Sequence, residues 1–453
     1  MEDERIQGSV PQSEGDVNST PERERWLRED LSQQTRDLLE EDARYFLHQS
    51  LSSPCLNVLE RCEGSFIIDA EGRKYLDFHG NNVHQVGFGH PQVKAAIIEA
   101  LEQLPFCTRR YTNRYAIELA RKLAEISPGN LNKCLFAPGG AEAISMAIKL
   151  VRMVTGRFKT ISMWESFHGA TLDAISLGGE FLFRNNIGPL LPGSEHVPPP
   201  EPQGCPFRCG NTCSLQCADY VEYVLRKEGD VAAVVAETVR STGTIPQPEF
   251  WQKVRSACTK HGALLILDEI PHGLGRTGSM FTCEQYGIVP DMLVIGKGLG
   301  GGVLPLAALL ARDDMDVAGD RALGHFTHEK NPVLCSAALA TISVIESENL
   351  PQRSAVLGEG FRDGLRRLKT HYPLIADVRG LGLLNALVLQ RTDGSPASSE
   401  AEQIMYAALR QGLSFKISMS NTIVLTPPLT IHKEELDSCL QILDQCFAEL
   451  RKG

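Results

Sequence analysis

The stretch Leu264-Leu265-Ile266-Leu267-Asp268-Glu269-Ile270, followed by Gly273-Leu274-Gly275-Arg276-Thr277-Gly278, decides the fold together with a second apolar run, Met292–Ile295, and Gly296-Lys297-Gly298-Leu299-Gly300-Gly301-Gly302. Both apolar runs have the length of buried strands, and each ends on chemistry. A carboxylate at the end of a buried strand is costly without a cationic or hydrogen-bonded partner, so Asp268 demands one; a protonated aromatic nitrogen would serve. A lysine flanked by glycines reaches into a cleft with little obstruction, and a desolvated amine is a good Schiff-base nucleophile, which makes Lys297 the candidate covalent anchor. Taken singly, both features have plainer readings. An Asp-Glu pair after a strand also coordinates magnesium in nucleotide-hydrolysing enzymes, and a lysine in a glycine-rich turn is often only solvated.

Working outward, helical patterns such as 115–126 and 141–153 alternate with short apolar runs at Lys133–Phe136, Thr160–Trp164, Val231–Val235, Leu264–Leu267 and Met292–Ile295. The alternation predicts an α/β fold with a mostly parallel sheet covered by helices on both faces, and such sheets bind ligands at the carboxyl ends of their strands. Residues 1–22 read as a mobile polar tail, 23–105 as a helical arm plus the first part of a small domain, 106–340 as the large domain, and 341–453 as the rest of a smaller α+β domain. A β-hairpin is expected over Ser65–Phe78, turning at Asp69-Ala70-Glu71-Gly72.

Forty-five basic against 56 acidic residues give a formal charge of -11, with no long Lys/Arg run to follow a phosphate backbone, which argues against nucleic acid. The acidic start Met1-Glu2-Asp3-Glu4-Arg5 is unlike a signal peptide. Nothing approaches the roughly 18 apolar residues of a membrane span. Thirteen cysteines without a secretion signal read as reduced thiols, so cytoplasm is the expected compartment.

With Asp268 and Lys297 in this order, the segment LILDEIPHGLGRTGSMFTCEQYGIVPDMLVIGKGLGGGVLP resembles the class III aminotransferase family of fold-type I pyridoxal-phosphate enzymes, from about residue 50 to the end. The resemblance implies pyridoxal 5'-phosphate as cofactor, with Asp268 on its pyridine nitrogen and Lys297 as its Schiff-base lysine. It implies that Ile270 packs under the ring and that Phe167, in Ser166-Phe167-His168-Gly169-Ala170-Thr171, stacks on it. Gly139, Gly140 and Ala141, opening an amphipathic helix, would hold the phosphate by backbone amides; Ala141 stands where the family usually has a hydroxyl. Glu237 takes the family's strand-end glutamate, although Thr238 replaces the usual proline. Thr327, in Gly324-His325-Phe326-Thr327-His328, falls where the family supplies a hydroxyl to the neighbouring subunit's phosphate, which implies a homodimer with shared active sites.

Many ω-aminotransferases of the family carry an arginine shortly before Pro-Pro-Leu that binds the acceptor's carboxylate. Here Asn421-Thr422-Ile423-Val424-Leu425-Thr426-Pro427-Pro428-Leu429 puts Val424 in or near that slot, which weakens the case for ordinary amino transfer. Arg109 and Arg110, in Cys107-Thr108-Arg109-Arg110-Tyr111, and Asn82 and His84, in Phe78-His79-Gly80-Asn81-Asn82-Val83-His84, lie where family members line the mouth of the site. They offer donors suited to a dianionic phosphonate or phosphate, and the arginines have the plainer reading of surface or interface charges. DFHGNNVHQVGFGHP, TRRYTN and GHFTHEKNP are most similar to family members that eliminate ammonia from a hydroxylated aminophosphonate. The expected function is therefore a lyase, with an ω-aminotransferase as alternative and a non-catalytic binding relative as a remote third. Cys205, Cys209, Cys213 and Cys217 recur every four residues, unlike the two close pairs usual for zinc. Free thiols packing an insertion loop are expected there, and no metal is assigned.

Overall fold

The computed structural model describes residues 20–50, 52–202, 205–209 and 213–451. The stretch read as a mobile tail lies outside the described residues up to position 19. Helix Pro21–Glu29 starts two residues inside that stretch, because Thr20 Oγ1 accepts the amide of Arg23 at 3.2 Å and proline occupies the first turn. A second helix, Gln33–Tyr45, is capped by Ser32 through the amide of Thr35.

The strands in chain order are β1 (Leu59–Glu63), β2 (Phe66–Asp69), β3 (Lys74–Asp77), β4 (Lys133–Ala137), β5 (Lys159–Met163), β6 (Ser194–Val197), β7 (Val231–Glu237), β8 (Leu264–Asp268), β9 (Met292–Ile295), β10 (Ala307–Ala311), β11 (Ile375–Leu381), β12 (Leu384–Leu389), β13 (Leu413–Ser414), β14 (Lys416–Ser418) and β15 (Thr422–Leu425). β2 and β3 form the expected hairpin. The large sheet has seven strands in the order β4-β10-β9-β8-β7-β5-β6. Its pairs are parallel except where β10 runs antiparallel to both β4 and β9. The glycine-rich segment 296–306 between β9 and β10 is shorter than the dozen or so residues of a parallel crossover, so the chain folds back instead.

Both faces of this sheet are covered. Val234, Ala236, Leu265, Leu267, Leu293 and Ile295 join one core with Phe250 and Trp251 of helix Pro248–His261. Their alternates Ala233, Val235, Ile266, Met292 and Val294 join another with Ile144, Ala147 and Val151 of helix Gly140–Thr155. Burial on both sides explains why these strands read as unbroken apolar runs.

Two four-stranded sheets complete the fold. In β1-β2-β3-β13 the strand β13 pairs in parallel with β3, Leu413 opposite Leu76, so the beginning and end of the chain share one sheet. The other, β11-β12-β15-β14, is wholly antiparallel. Among the described residues no single helix is long and apolar enough to cross a membrane. The most apolar, Pro332–Ser347, is largely buried in the core.

Candidate active site

The register of the large sheet places Glu237 at the end of β7 directly beside Asp268 at the end of β8, and Lys297 follows the end of neighbouring β9. Three chemically active side chains are thereby gathered at the carboxyl ends of adjacent strands. Asp268 is 1% exposed, with one partner on each carboxylate oxygen. His168 Nδ1 lies 2.8 Å from its Oδ2, and the amide of Ile270 donates to its Oδ1 at 3.0 Å. Ser162 Oγ, 3.3 Å from His168 Nε2, steadies the histidine from behind. His168, absent from the sequence-based candidates, thus braces Asp268.

Lys297 is partly buried, with a left-handed backbone at φ 45. Burial pushes its amine below the ordinary lysine range, against the opposing pull of Asp268 and Glu237. Its glycine neighbours answer to close approach: a Cβ on Gly298 would fall 1.9 Å from Gln85 Oε1, and one on Gly296 would meet Ile270 Cγ2 at 3.3 Å. Ile270 also presses on the start of helix Gly140–Thr155, where a Cβ on Gly140 would strike its Cδ1 at 2.6 Å. That helix start carries no side-chain cap, which leaves its first amides free of a capping side chain beside Ile270. Ala141 packs against Gly169, whose Cβ would fall 2.4 Å from that of Ala141.

Phe167 is 36% exposed, leans on Phe183 at 4.4 Å between centroids, and directs its amide at Glu237 Oε2 at 3.4 Å. Burial pushes the Glu237 carboxyl upward while Arg240, whose Nε lies 3.4 Å from Oε2, pulls it down. Two further histidines feel Lys297. His272 Nδ1 meets Thr282 Oγ1 at 3.1 Å, and burial holds its ring down to about 3. Burial, then Lys297, brings His79 down to about 4. Both are neutral at neutral pH, so neither adds charge near the amine.

The mouth residues divide. Asn82 and His84 are buried in and after the turn Gly80–Asn82. His84 is fully enclosed beneath Gly80 and lies 3.4 Å from the carbonyl of Asp77, its pKa brought down to about 3 by burial and then by Arg276. Arg109, Arg110 and Thr327 are exposed. Arg109 pairs with Glu329 at 3.4 Å, and Asn113 Nδ2 donates to the carbonyl of Lys330 at 2.9 Å, which joins their two loops into one surface. That surface borders a cleft of about 500 Å³ against edge strand β4, lined by Arg109, Phe136, Met146, Arg312 and Lys330. It does not meet the Asp268–Lys297 cluster within this chain's described contacts.

All four insertion cysteines are free thiols. Cys205 Sγ and Cys209 Sγ are 3.8 Å apart, and Cys217 is buried, its thiol pushed up to about 11 by desolvation. Among the described residues no group of three or more His, Cys, Asp or Glu side chains is arranged to hold a metal ion.

A buried, histidine-braced carboxylate, a desolvated amine and an uncapped helix start fit a ligand with a cationic aromatic nitrogen, a carbonyl and a phosphate. Known proteins are similar in sequence and fold. The family model for aminotransferase class-III matches residues 48–447. The (R)-1-hydroxy-2-aminoethylphosphonate ammonia-lyase of Vibrio splendidus is 46% identical, over 97% of this chain and 96% of that protein. The (S)-enantioselective ω-transaminase of Thermomicrobium roseum superposes with a TM-score of 0.85 at 29% identity, covering 91% of this chain and 98% of that one. A pyridoxal-phosphate-bound amine transaminase from an uncultivated Pseudomonas species gives 0.82 at 28% identity, covering 89% and 98%. With this match across most of its length, the chain belongs to the class III aminotransferase family, whose members typically use pyridoxal phosphate.

Proposed function

We propose that this chain is a pyridoxal-phosphate-dependent ammonia-lyase acting on (R)-1-hydroxy-2-aminoethylphosphonate to give phosphonoacetaldehyde and ammonia. The observation that carries the reading is Val424: it is 3% exposed and sits between Ala386 and Lys416 in the small sheet, and by the family resemblance it falls in or near the slot where many ω-aminotransferases carry a carboxylate-binding arginine. A 2-oxo acid acceptor therefore lacks its clamp. The Vibrio splendidus lyase, similar over nearly the whole length, supports the same choice.

Asp268, held by His168, would pair with the cofactor's ring nitrogen, and the first amides of helix Gly140–Thr155, from Gly139 to Ala141, would hold its phosphate. Phe167 and Ile270 would enclose its ring. When bound, the cofactor supplies an electron sink for the charge left as the carbon bearing nitrogen loses its proton. Lys297 Nζ would anchor the cofactor, yield that place to the substrate amine, and take this proton, a task its depressed pKa favours. Lys297 then returns the proton to the hydroxyl leaving the adjacent carbon, which departs as water. Once released, the unsaturated amine shifts a hydrogen from nitrogen to the carbon that lost the hydroxyl, and water then adds at the carbon bearing nitrogen, which forms the aldehyde and expels ammonia. Atoms balance without an amino acceptor. Arg109, Arg110 and Thr327, exposed and joined on one surface, would serve the site of a second copy in a homodimer.

The second reading, amino transfer from a primary amine to a 2-oxo acid, is favoured by the likeness to solved transaminases. One assay separates them: incubation with 2-amino-1-hydroxyethylphosphonate and no 2-oxo acid, followed by ammonia and aldehyde. Sustained release is expected. A single turnover that resumes only with pyruvate would overturn the lyase reading in favour of the transaminase.

A further inference from the structure

Beyond the strand ends lies a cation that faces Glu237 yet leaves hydrogen-bonding capacity unused. Arg240 is on the turn after β7, closed by the Gly243 amide donating to the Arg240 carbonyl at 2.9 Å and the Arg240 amide donating to Thr244 at 3.0 Å. The residue is 8% exposed. Among the described residues its side chain makes one hydrogen bond, from Nη1 to the thioether of Met419 at 4.0 Å. Its Nε is buried and lacks a hydrogen-bond partner, although Glu237 Oε2 is 3.4 Å away. On the same turn Thr242 Oγ1 is also buried and unsatisfied. Buried donors are normally hydrogen-bonded, so two orphans on one turn call for a ligand rich in acceptors.

The small sheet supplies the other wall. Its registers run Arg379 opposite Ala386, Ala386 opposite Val424, and Val424 opposite Lys416. Cross-strand partners share a face, so these four side chains form one transverse row. The row faces the Arg240 turn, because a Cβ on Gly243 would fall 2.4 Å from that of Ala386. Met419, which Arg240 touches, lies in the β14–β15 connection beyond Lys416. The two apolar residues at the middle of the row are thus bordered by an amine on the sheet and by a guanidinium on the turn beneath it.

We propose that Arg240, Thr242 and Lys416 form the recognition site for the substrate's tetrahedral dianion, a phosphonate on a two-carbon amine, in place of the lone carboxylate-binding arginine for which Val424 stands. The proposal rests on the lyase reading above and gives its substrate anion a seat. A dianion matches two cations, and the planar guanidinium offers paired donors to its oxygens. Glu237 interacts with both Arg240 and Lys297, which puts the proposed anion seat and the amine on the same strand-end carboxylate. Glu237 and Glu165 both interact with Arg240. The exposed Arg109 and Arg110 offer the anion a competing seat only from another subunit.

Calorimetry on the purified holoenzyme with ethylphosphonate, which lacks the reacting amine, tests the site. Arg240→Gln is expected to weaken binding at least tenfold, Arg240→Lys less, and Thr242→Val severalfold. KM for the aminophosphonate should rise in step while kcat and the absorbance of bound cofactor change little. Should Arg240→Gln disturb folding, the near-isosteric Thr242→Val carries the test. Ethylphosphonate affinity unchanged in both variants, lost only in Arg109→Gln or Arg110→Gln, or absent from the wild-type chain overturns the proposal. Acceptor-free ammonia release with unaltered ethylphosphonate affinity in the variants keeps the lyase and removes the subsite. Ethylphosphonate binding that needs Arg240, without ammonia release, does the reverse.

Discussion

The ends of β7, β8 and β9 and the face of the small sheet approach each other where the turn after β7 meets Ala386, and are built on opposite plans. At the strand ends, Asp268 is gripped by His168 and the Ile270 amide, and Lys297 is flanked by Gly296 and Gly298, where a Cβ would crowd Ile270 and Gln85. Adjacent buried strands set these positions, so a change in one disturbs the others. On the small sheet the row Arg379–Ala386–Val424–Lys416 is a set of side chains exchangeable one at a time on an unchanged ladder. The difference teaches where a family keeps its chemistry and where it varies its substrate: shared reaction steps need the rigid register, and specificity needs a surface that tolerates substitution.

The contrast breaks most sharply at Lys297. Lys297→Ala should cut turnover by about 10³-fold or more and abolish the near-visible absorbance of bound cofactor, with the circular dichroism of the fold retained; intact absorbance would remove Lys297 as the anchor. Next comes His168→Leu, which takes a buried hydrogen-bonding partner from Asp268. A loss of about 1.5–3 kcal/mol, or roughly 10- to 100-fold, is expected in cofactor affinity or kcat, measured by titration of the cofactor-free protein and by steady-state kinetics. A variant with wild-type values would show that Asp268 needs no brace.

The small sheet should respond in kind rather than in amount. Val424→Arg is expected to introduce turnover that depends on an added 2-oxo acid and to raise KM for the aminophosphonate. Thermal unfolding should show a cost of about 1–3 kcal/mol from overpacking a buried position. If pyruvate has no effect on the variant, the slot does not decide the acceptor.

The smallest expected effect is in pH. Burial pushes the Lys416 amine down from 10.5 to about 8. Below about 8 it carries its charge, and as pH rises through that value the charge is lost, so KM for the aminophosphonate should climb a fewfold above about pH 8. Stability moves the other way, because the penalty for burying the charged amine is fully present below about 8 and is relieved as pH rises towards 10.5. Lys416→Arg should flatten the rise in KM, and a rise that persists in this variant would assign it to another group.

Legibility in the sequence followed the same division. The LILDEIPHG and GKGLGGG segments are contiguous and end buried strands, so local pattern located Asp268 and Lys297 in the carboxyl-end position that the sheet gives them. His168 was visible within its motif, yet its bond to Asp268 spans 100 residues and has no local signature. His84 illustrates the converse: the family resemblance of its segment suggested a mouth residue, while packing under Gly80 encloses it completely. Arg240 was passed over because a single arginine after a strand is ordinary until its burial and missing acceptors are known.

The sequence by itself determined the α/β layering, the strand-end carboxylate and lysine, and the family, because strand periodicity and strand-end motifs are properties of neighbouring residues. Tertiary structure alone decided which cations face the substrate space. Arg240, Val424 and Lys416 meet through one glycine contact and two strand registers, and pairing between distant strands is set by the packing of the whole sheet.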